Sequence, residues 1–250
     1  MACLASIMSP ACLLIVQALT FTAAVKLRQS AIISHLRDSS DPDVIPLPDS
    51  NDSPLEVNIN LSLTKILDVD VERNEIDVLV FQETTWNNPA LAWEVGRDGF
   101  SATTVALPSQ YLWLPDIAVY NAVGSREIVS PDVAVVASNG SVYYIPNLRV
   151  RVYCDLQGID SHSGSTCSLK LGSWTQSTKT VTLSNNGNGI YTGAYVAIPN
   201  YDLLATFATK HSQEYPCCPG ERFEDIEFKF ILRKLHHPVP VSEDENGSEK

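Results

Sequence analysis

The sequence predicts an all-β sandwich of about ten strands with a short α-helix near its N-terminal end. Three observations predict it. From Leu55 to Asp70 apolar residues alternate with polar ones, Val57, Ile59, Leu61 and Leu63 against Asn58, Asn60, Ser62 and Thr64, the period-two pattern of a strand with one wet face. Further short strand-like runs follow at roughly 8–12-residue spacing with turn residues between them. Between two of these runs stands Asn139-Gly140, a hairpin signal.

Taken in order, the first 24 residues contain no Asp, Glu, Lys or Arg and carry an apolar run around Leu13–Val16 before Thr22-Ala23-Ala24, which reads as a signal peptide cleaved near Ala24. Val25–Asp38 places Leu27, Ala31 and Leu36 along one helical stripe. A polar, proline-rich loop through Pro54 ends that helix. After the strand Leu55–Asp70, strands are expected at Ile76–Trp86, Ser101–Ala106, Ile117–Tyr120, Val133–Val136, Val142–Ile145, Arg149–Tyr153, Cys167–Leu171, Thr178–Leu183, Leu203–Thr209 and Phe223–Leu235. Residues 236–250 read as a disordered acidic tail, which leaves 25–235 as one domain.

Loss of the leader removes Cys3 and Cys12 and leaves Cys154, Cys167, Cys217 and Cys218, an even set suited to an oxidising compartment. Four cysteines allow three connectivities. The local pairs Cys154–Cys167 and Cys217–Cys218 are expected, against cross-linked or reduced alternatives. Bonding adjacent residues closes a small strained ring, because neighbouring Cα atoms lie about 3.8 Å apart, below the usual ~4.4–6.8 Å. Sequons at Asn51, Asn60, Asn139 and Asn246 are candidate glycan acceptors, with Asn139 favoured by its place at a hairpin tip. A net charge of −12 argues against nucleic acid and favours small cations. No membrane-length apolar stretch follows the last strand, so a soluble, extracellular protein is expected.

Enzymatic readings find no support. The five histidines show no metal-ligand spacing, and the sequence contains no nucleophile elbow, P-loop or dinucleotide fingerprint. Neither catalysis nor a metal or cofactor is expected. Aromatic residues offer more, because rings converging on a quaternary ammonium form a cage worth ~0.5–2 kcal/mol per desolvated face. For a single aromatic in a strand, core packing is the commoner explanation.

The motifs then combine. Trp86-Asn-Asn-Pro-Ala-Leu91-Ala-Trp93, Leu112-Trp113-Leu-Pro115-Asp116-Ile-Ala-Val-Tyr120-Asn121, Cys154 and Cys167 with twelve residues between, Gly172-Ser173-Trp174-Thr175 and Tyr215-Pro-Cys217-Cys218-Pro together resemble the extracellular domain of the pentameric Cys-loop (nicotinic) receptors. The loop between Cys154 and Cys167 lacks the apolar segment by which receptor domains contact their membrane part, and in this it looks like the secreted acetylcholine-binding proteins of molluscs. The resemblance implies an immunoglobulin-like sandwich assembled as a homopentamer, with acetylcholine or nicotine-like cations bound between subunits. Tyr120, Trp174, Tyr215, Cys217, Cys218 and Phe223 would form the principal face, and Phe81, Val135, Tyr143 and Ile145 of the neighbour the complementary face. Three positions depart from the family pattern: Phe81 replaces a common Trp, Glu83 stands where a glutamine or similar residue is usual, and Phe223 replaces a tyrosine after one extra residue. Arg222 would oppose a cation unless it points to solvent. Two rival readings are a channel subunit's extracellular part and a structural or storage assembly with a vestigial pocket.

Overall fold

The computed structural model describes residues 30–48, 53–96, 101–187 and 189–235. The expected signal peptide, the acidic tail and the sequons Asn51 and Asn246 lie outside them. Within the expected 25–235 domain the chain divides into two compact units, one holding the chain up to Leu55 with Thr85–Leu114 and Val133–Tyr144, the other Glu56–Thr84, Pro115–Asp132 and everything from Ile145. Among the described residues, twelve strands and one α-helix make the expected all-β architecture.

In the first unit, residues 30–39 are helical (α1). Its buried stripe is Ile32 and Leu36; Leu36 is buried as expected, Ala31 is exposed, and Leu27 lies outside the described residues. The pair Ile32/Leu36 has the i, i+4 spacing that one helical face requires, and the bulkier side chains take it. Strands β3 (Thr104–Pro108), β6 (Val133–Ala137) and β7 (Ser141–Tyr144) pair in the order β7-β6-β3. The Asn139-Gly140 hairpin forms as the sequence predicts, with Gly140 at φ +84° under the Asn88 carbonyl, where a Cβ has no room. Trp86 and Trp113 meet edge to face at 6.0 Å, and Trp93 is also buried. Three of the four tryptophans are thus core residues.

The second unit holds β1 (Leu55–Asp70, from Glu56 onward), β2 (Glu75–Asn87, to Thr84), β4 (Ile117–Val119), β5 (Glu127–Ile128), β8 (Asn147–Tyr153), β9 (Ser165–Ser173), β10 (Val181–Ser184), β11 (Tyr201–Glu214) and β12 (Arg222–Lys234). Strands β10-β1-β2-β8-β5 neighbour one another in one sheet, and β11-β12-β9-β4 form the other. The inner faces follow the period-two pattern: Val57, Ile59, Leu61 and Leu63 of β1 and Ile226, Phe228, Phe230 and Leu232 of β12 are all buried. The Cys154–Cys167 disulfide joins the end of β8 to β9. Several expected boundaries shift: β3 begins at Thr104 rather than Ser101, β9 extends beyond Cys167–Leu171 at both ends, and β5 stands where no strand is expected. Residues 177–180 form a turn rather than the start of β10, and β11 and β12 run longer than their apolar cores, because antiparallel pairing continues through Glu214 opposite Arg222.

The outer face of the second sheet is polar but not bare. Asp225, nearly fully buried, receives Lys170 Nζ at 3.3 Å and lies 2.9 Å from His211 Nδ1. On the other sheet, Asp77 is held by Arg149 through Nε at 3.1 Å and Nη2 at 2.8 Å. The difference between inner and outer positions on the β11–β12 hairpin is measurable: Phe230→Ala, which empties a site with no solvent exposure, should cost about 3–5 kcal/mol in denaturant unfolding, whereas Phe207→Ala, 39% exposed, should cost clearly less.

Candidate functional site

The fourth tryptophan behaves differently. Trp174 is 70% exposed, directly after β9, and its position is fixed by one carboxylate. Asp116, in the Trp113-Leu-Pro-Asp run before β4, accepts from the Ser173 hydroxyl at 2.5 Å, the Thr175 amide at 2.7 Å and the Thr175 hydroxyl at 2.6 Å, while its own carbonyl accepts from the Trp174 amide at 3.1 Å. Both neighbours of Trp174 are therefore tied down and the indole is left to face outward. An exposed Trp held this rigidly has no role in core packing.

Around it, Tyr120, Ser173, Trp174, Thr175, Tyr215, Cys217, Cys218 and Phe223 line a pocket of about 420 Å³. Tyr120 meets Trp174 at 6.2 Å and 66°, and Tyr215 meets Phe223 at 5.8 Å and 60°, so two edge-to-face pairs frame it. Tyr120 lies over Gly172, where any Cβ would collide with its hydroxyl and with the Glu224 carbonyl; only glycine permits this approach. The Tyr120 hydroxyl donates to the Ser173 carbonyl at 2.5 Å. Burial, reinforced by the nearby Tyr215, Asp225 and Asp116, pushes its pKa up to about 12, so it remains a neutral donor at physiological pH. Among the described residues no carboxylate lines the pocket, whose lining is mainly aromatic and cysteine side chains.

Tyr215 sits on the seven-residue turn that joins β11 to β12. The turn is tied back by the Glu214 carboxylate, which accepts from the Gly220 amide at 2.9 Å, and by the Thr178 amide donating to the Arg222 carbonyl at 2.8 Å. Lys179 reaches Glu221 at 3.1 Å and holds that carboxyl below the usual range. Arg222 does not face the pocket: its guanidinium binds the Ser212 hydroxyl at 2.9 Å and carbonyl at 2.6 Å. The expected bond between Cys217 and Cys218 is not formed; the two are free thiols with Sγ atoms 2.6 Å apart, and this contact pushes the Cys218 thiol up. Adjacent residues fall short of the usual disulfide span, so ring closure asks for a local change of backbone that is not made here.

All six expected principal-face residues thus come together. Of the other four, Val135 and Tyr143 are cross-strand partners on β6 and β7 with exposed side chains. Phe81 and Ile145 fall in the other unit, Phe81 half-buried on β2 and Ile145 exposed just after β7. Sequence reasoning missed Asp116, Gly172, Lys179 and Glu221 as site-shaping residues. The first two stand inside quoted motifs, next to residues that were selected for their rings. Among the described residues no group of three or more His, Cys, Asp or Glu side chains is placed to hold a metal.

Known proteins resemble this chain in sequence over most of its length. Residues 29–235 match the neurotransmitter-gated ion-channel ligand binding domain. A neuronal acetylcholine receptor subunit alpha-2 of Rattus norvegicus is 26% identical over 227 residues, covering 90% of this chain and 44% of its own length. The neuronal acetylcholine receptor subunit eat-2 of Caenorhabditis elegans is 32% identical over 210 residues, covering 81% and 43%. An acetylcholine receptor subunit alpha-L1 of Schistocerca gregaria is 28% identical, covering 76% and 35%. The chain therefore spans less than half the length of these relatives, and it belongs to the neurotransmitter-gated ion-channel ligand-binding domain family.

Proposed function

We propose that this chain binds small quaternary or N-alkylated ammonium ligands, acetylcholine and nicotine-like compounds, in the Tyr120–Trp174–Tyr215–Phe223 pocket. The observation that carries the reading is Trp174, an exposed indole anchored by Asp116 in a ring-lined pocket without a carboxylate. A cation with no N–H to donate gains from ring faces and loses little by the absence of an acceptor. Binding requires no reaction, and the protein acts as a binder rather than an enzyme.

We further propose a secreted homopentamer similar to the molluscan acetylcholine-binding proteins, in which Phe81, Val135, Tyr143 and Ile145 of a neighbouring copy complete each site. The exposure of Val135, Tyr143 and Ile145 supports this, as apolar side chains on a surface favour a partner. The disulfide, the sequons and the uncharged apolar leader support passage through an oxidising secretory route. So does the loop from Cys154 to Cys167, which turns Leu156 and Ile159 into the core and presents Asp155, Gln157, Asp160 and Ser161 to solvent. The receptor-subunit relatives favour a second reading, the ligand-binding portion of a channel subunit. No helix among the described residues is long and apolar enough to cross a membrane.

Calorimetric titration on a size-resolved pentamer tests the first reading: acetylcholine and nicotine should bind below millimolar concentration, and absence of binding to an intact ring would leave only a vestigial pocket. A monomer that co-purifies with membranes would favour the channel-subunit reading. Trp174→Ala should weaken acetylcholine at least tenfold while the ring stays intact on gel filtration, since the indole is outside the core. Gly172→Ala should displace Tyr120, lowering both affinity and thermal stability. Mass spectrometry of the secreted protein should find glycan on Asn139, exposed at its hairpin tip, and none on Asn60, whose amide already donates to Asn58 at 2.7 Å.

A further inference from the structure

Asparagine followed by glycine stands at Asn139, Asn186, Asn188 and Asn246, and the structure describes the first two of these pairs. Such a pair carries a chemistry of its own, because the backbone amide of glycine is the one least shielded by a side chain. Its nitrogen attacks Cγ of the asparagine, the Cγ–Nδ2 bond breaks, and ammonia leaves behind a five-membered succinimide. Water then opens one of the two ring carbonyls, giving aspartate or, with the backbone rerouted through the side chain, isoaspartate. The reaction needs an amide that can leave its acceptor and a side chain that can turn toward it.

The fold denies both conditions to Asn139. Inside the β6–β7 hairpin the Gly140 amide donates to the Ala137 carbonyl at 2.9 Å, and the Gly140 carbonyl accepts from the Asn88 amide at 2.9 Å. Asn139 Oδ1 accepts from the Ser141 amide at 3.0 Å. Gly140 is buried although Asn139 is exposed. At Asn186 and Gly187 both residues are exposed, and apart from the chain neighbours no atom lies within 4 Å of the place where Gly187 would carry a Cβ. Among the described residues the Gly187 amide has a side chain for its acceptor, Asn185 Oδ1 at 3.3 Å, and Asn186 Oδ1 accepts from Asn58 Nδ2 at 3.5 Å, beyond the usual range of a hydrogen bond.

The chain on either side of this pair is fixed. Before it, the Leu183 amide donates to Glu224 Oε2 at 2.7 Å and the Ser184 hydroxyl to Glu56 Oε1 at 2.6 Å. After it, the Tyr191 amide donates to the Leu61 carbonyl at 2.8 Å and the Thr206 hydroxyl to the Ile190 carbonyl at 2.9 Å. Ring closure at Asn186 therefore breaks two weak side-chain contacts and no strand pairing. We propose that Asn186 is a site of spontaneous deamidation in the folded protein, converted through a succinimide with the Gly187 nitrogen to aspartate and isoaspartate, while the hairpin protects Asn139. Each event adds a negative charge to a chain already at −12, and isoaspartate lengthens by one methylene the backbone between β10 and the residues that pair with β1. The site is independent of the aromatic-pocket reading, and its test uses no ligand.

Incubation of the intact protein at mildly alkaline pH, followed by peptide mass spectrometry with fragmentation, tests it and separates Asn186 from Asn188. A Ser141→Ala background removes the sequon at Asn139, so that no glycan blocks the comparison, and keeps the bond from the backbone amide of residue 141. In the folded protein Asn186 should convert at least about tenfold faster than Asn139, whose glycine amide is released only when the hairpin opens. In denaturant the two rates should come together, and native hydrogen exchange should be faster at the Gly187 amide than at Gly140. The proposal is overturned if Asn186 remains asparagine in the folded protein, if Asn139 converts as fast as Asn186 there, or if the difference between them persists in the unfolded chain.

Discussion

The antiparallel pairing of β9 with β12 is the constraint on which the aromatic site rests. Setting Gly172 opposite Asp225 and Leu169 opposite Phe228 sends Phe228 and Phe230 inward and leaves Lys170, Gly172 and Asp225 on the outer face. Every feature of the pocket then follows from what stands on that face. Tyr120 can approach Gly172 so closely only because the register puts glycine there, and Asp225 is accommodated in burial by Lys170 and His211, which meet it from the strands on either side. A one-residue slip would exchange the two faces and present Leu171 to Tyr120.

Asp116 adds a second layer of control. Short hydrogen bonds to Ser173 and Thr175 hold the residues before and after Trp174, so an indole that would gain by burying its area is kept in solvent. Burial of a large aromatic is the stronger drive in an unconstrained loop. Its suppression here is a mark of a surface made for contact with something other than the chain itself.

Much of this was legible in the sequence, for reasons that differ by element. The alternation in β1 and the Asn139-Gly140 turn are local signals and came through directly. The rings of the site were legible because their motifs are ordered along the chain, although a Trp such as Trp174 carries no local sign that separates it from the buried Trp86 or Trp113. What stayed hidden depends on partners distant in sequence. Asp116 reaches a residue 57 positions away, and Tyr191 pairs along the edge of β1 with Ser62, more than a hundred positions earlier. On the helix Leu36 is buried as expected, but Ile32 takes the place expected of Ala31, because Ile32 keeps the i, i+4 spacing with Leu36. Arg222, awkward on paper, turns to the Ser212 hydroxyl and carbonyl rather than into the pocket, a partner ten residues away across the hairpin.

The length of the β11–β12 hairpin has a mechanical meaning. Pairing between β11 and β12 continues to Glu214 and Arg222, whereas β12 pairs with β9 only from Asp225 onward. From His211 and Asp225 to the tip, the hairpin is a two-stranded ribbon without a third strand to stiffen it, and such ribbons twist and bend more readily than sheets. Tyr215 and the two cysteines ride at the end of that ribbon, which residues 178–183 hold only through single bonds at Glu221, Arg222 and Glu224. Displacing Tyr215 then costs the bending of a ribbon and the release of those few bonds, not the rupture of a sheet.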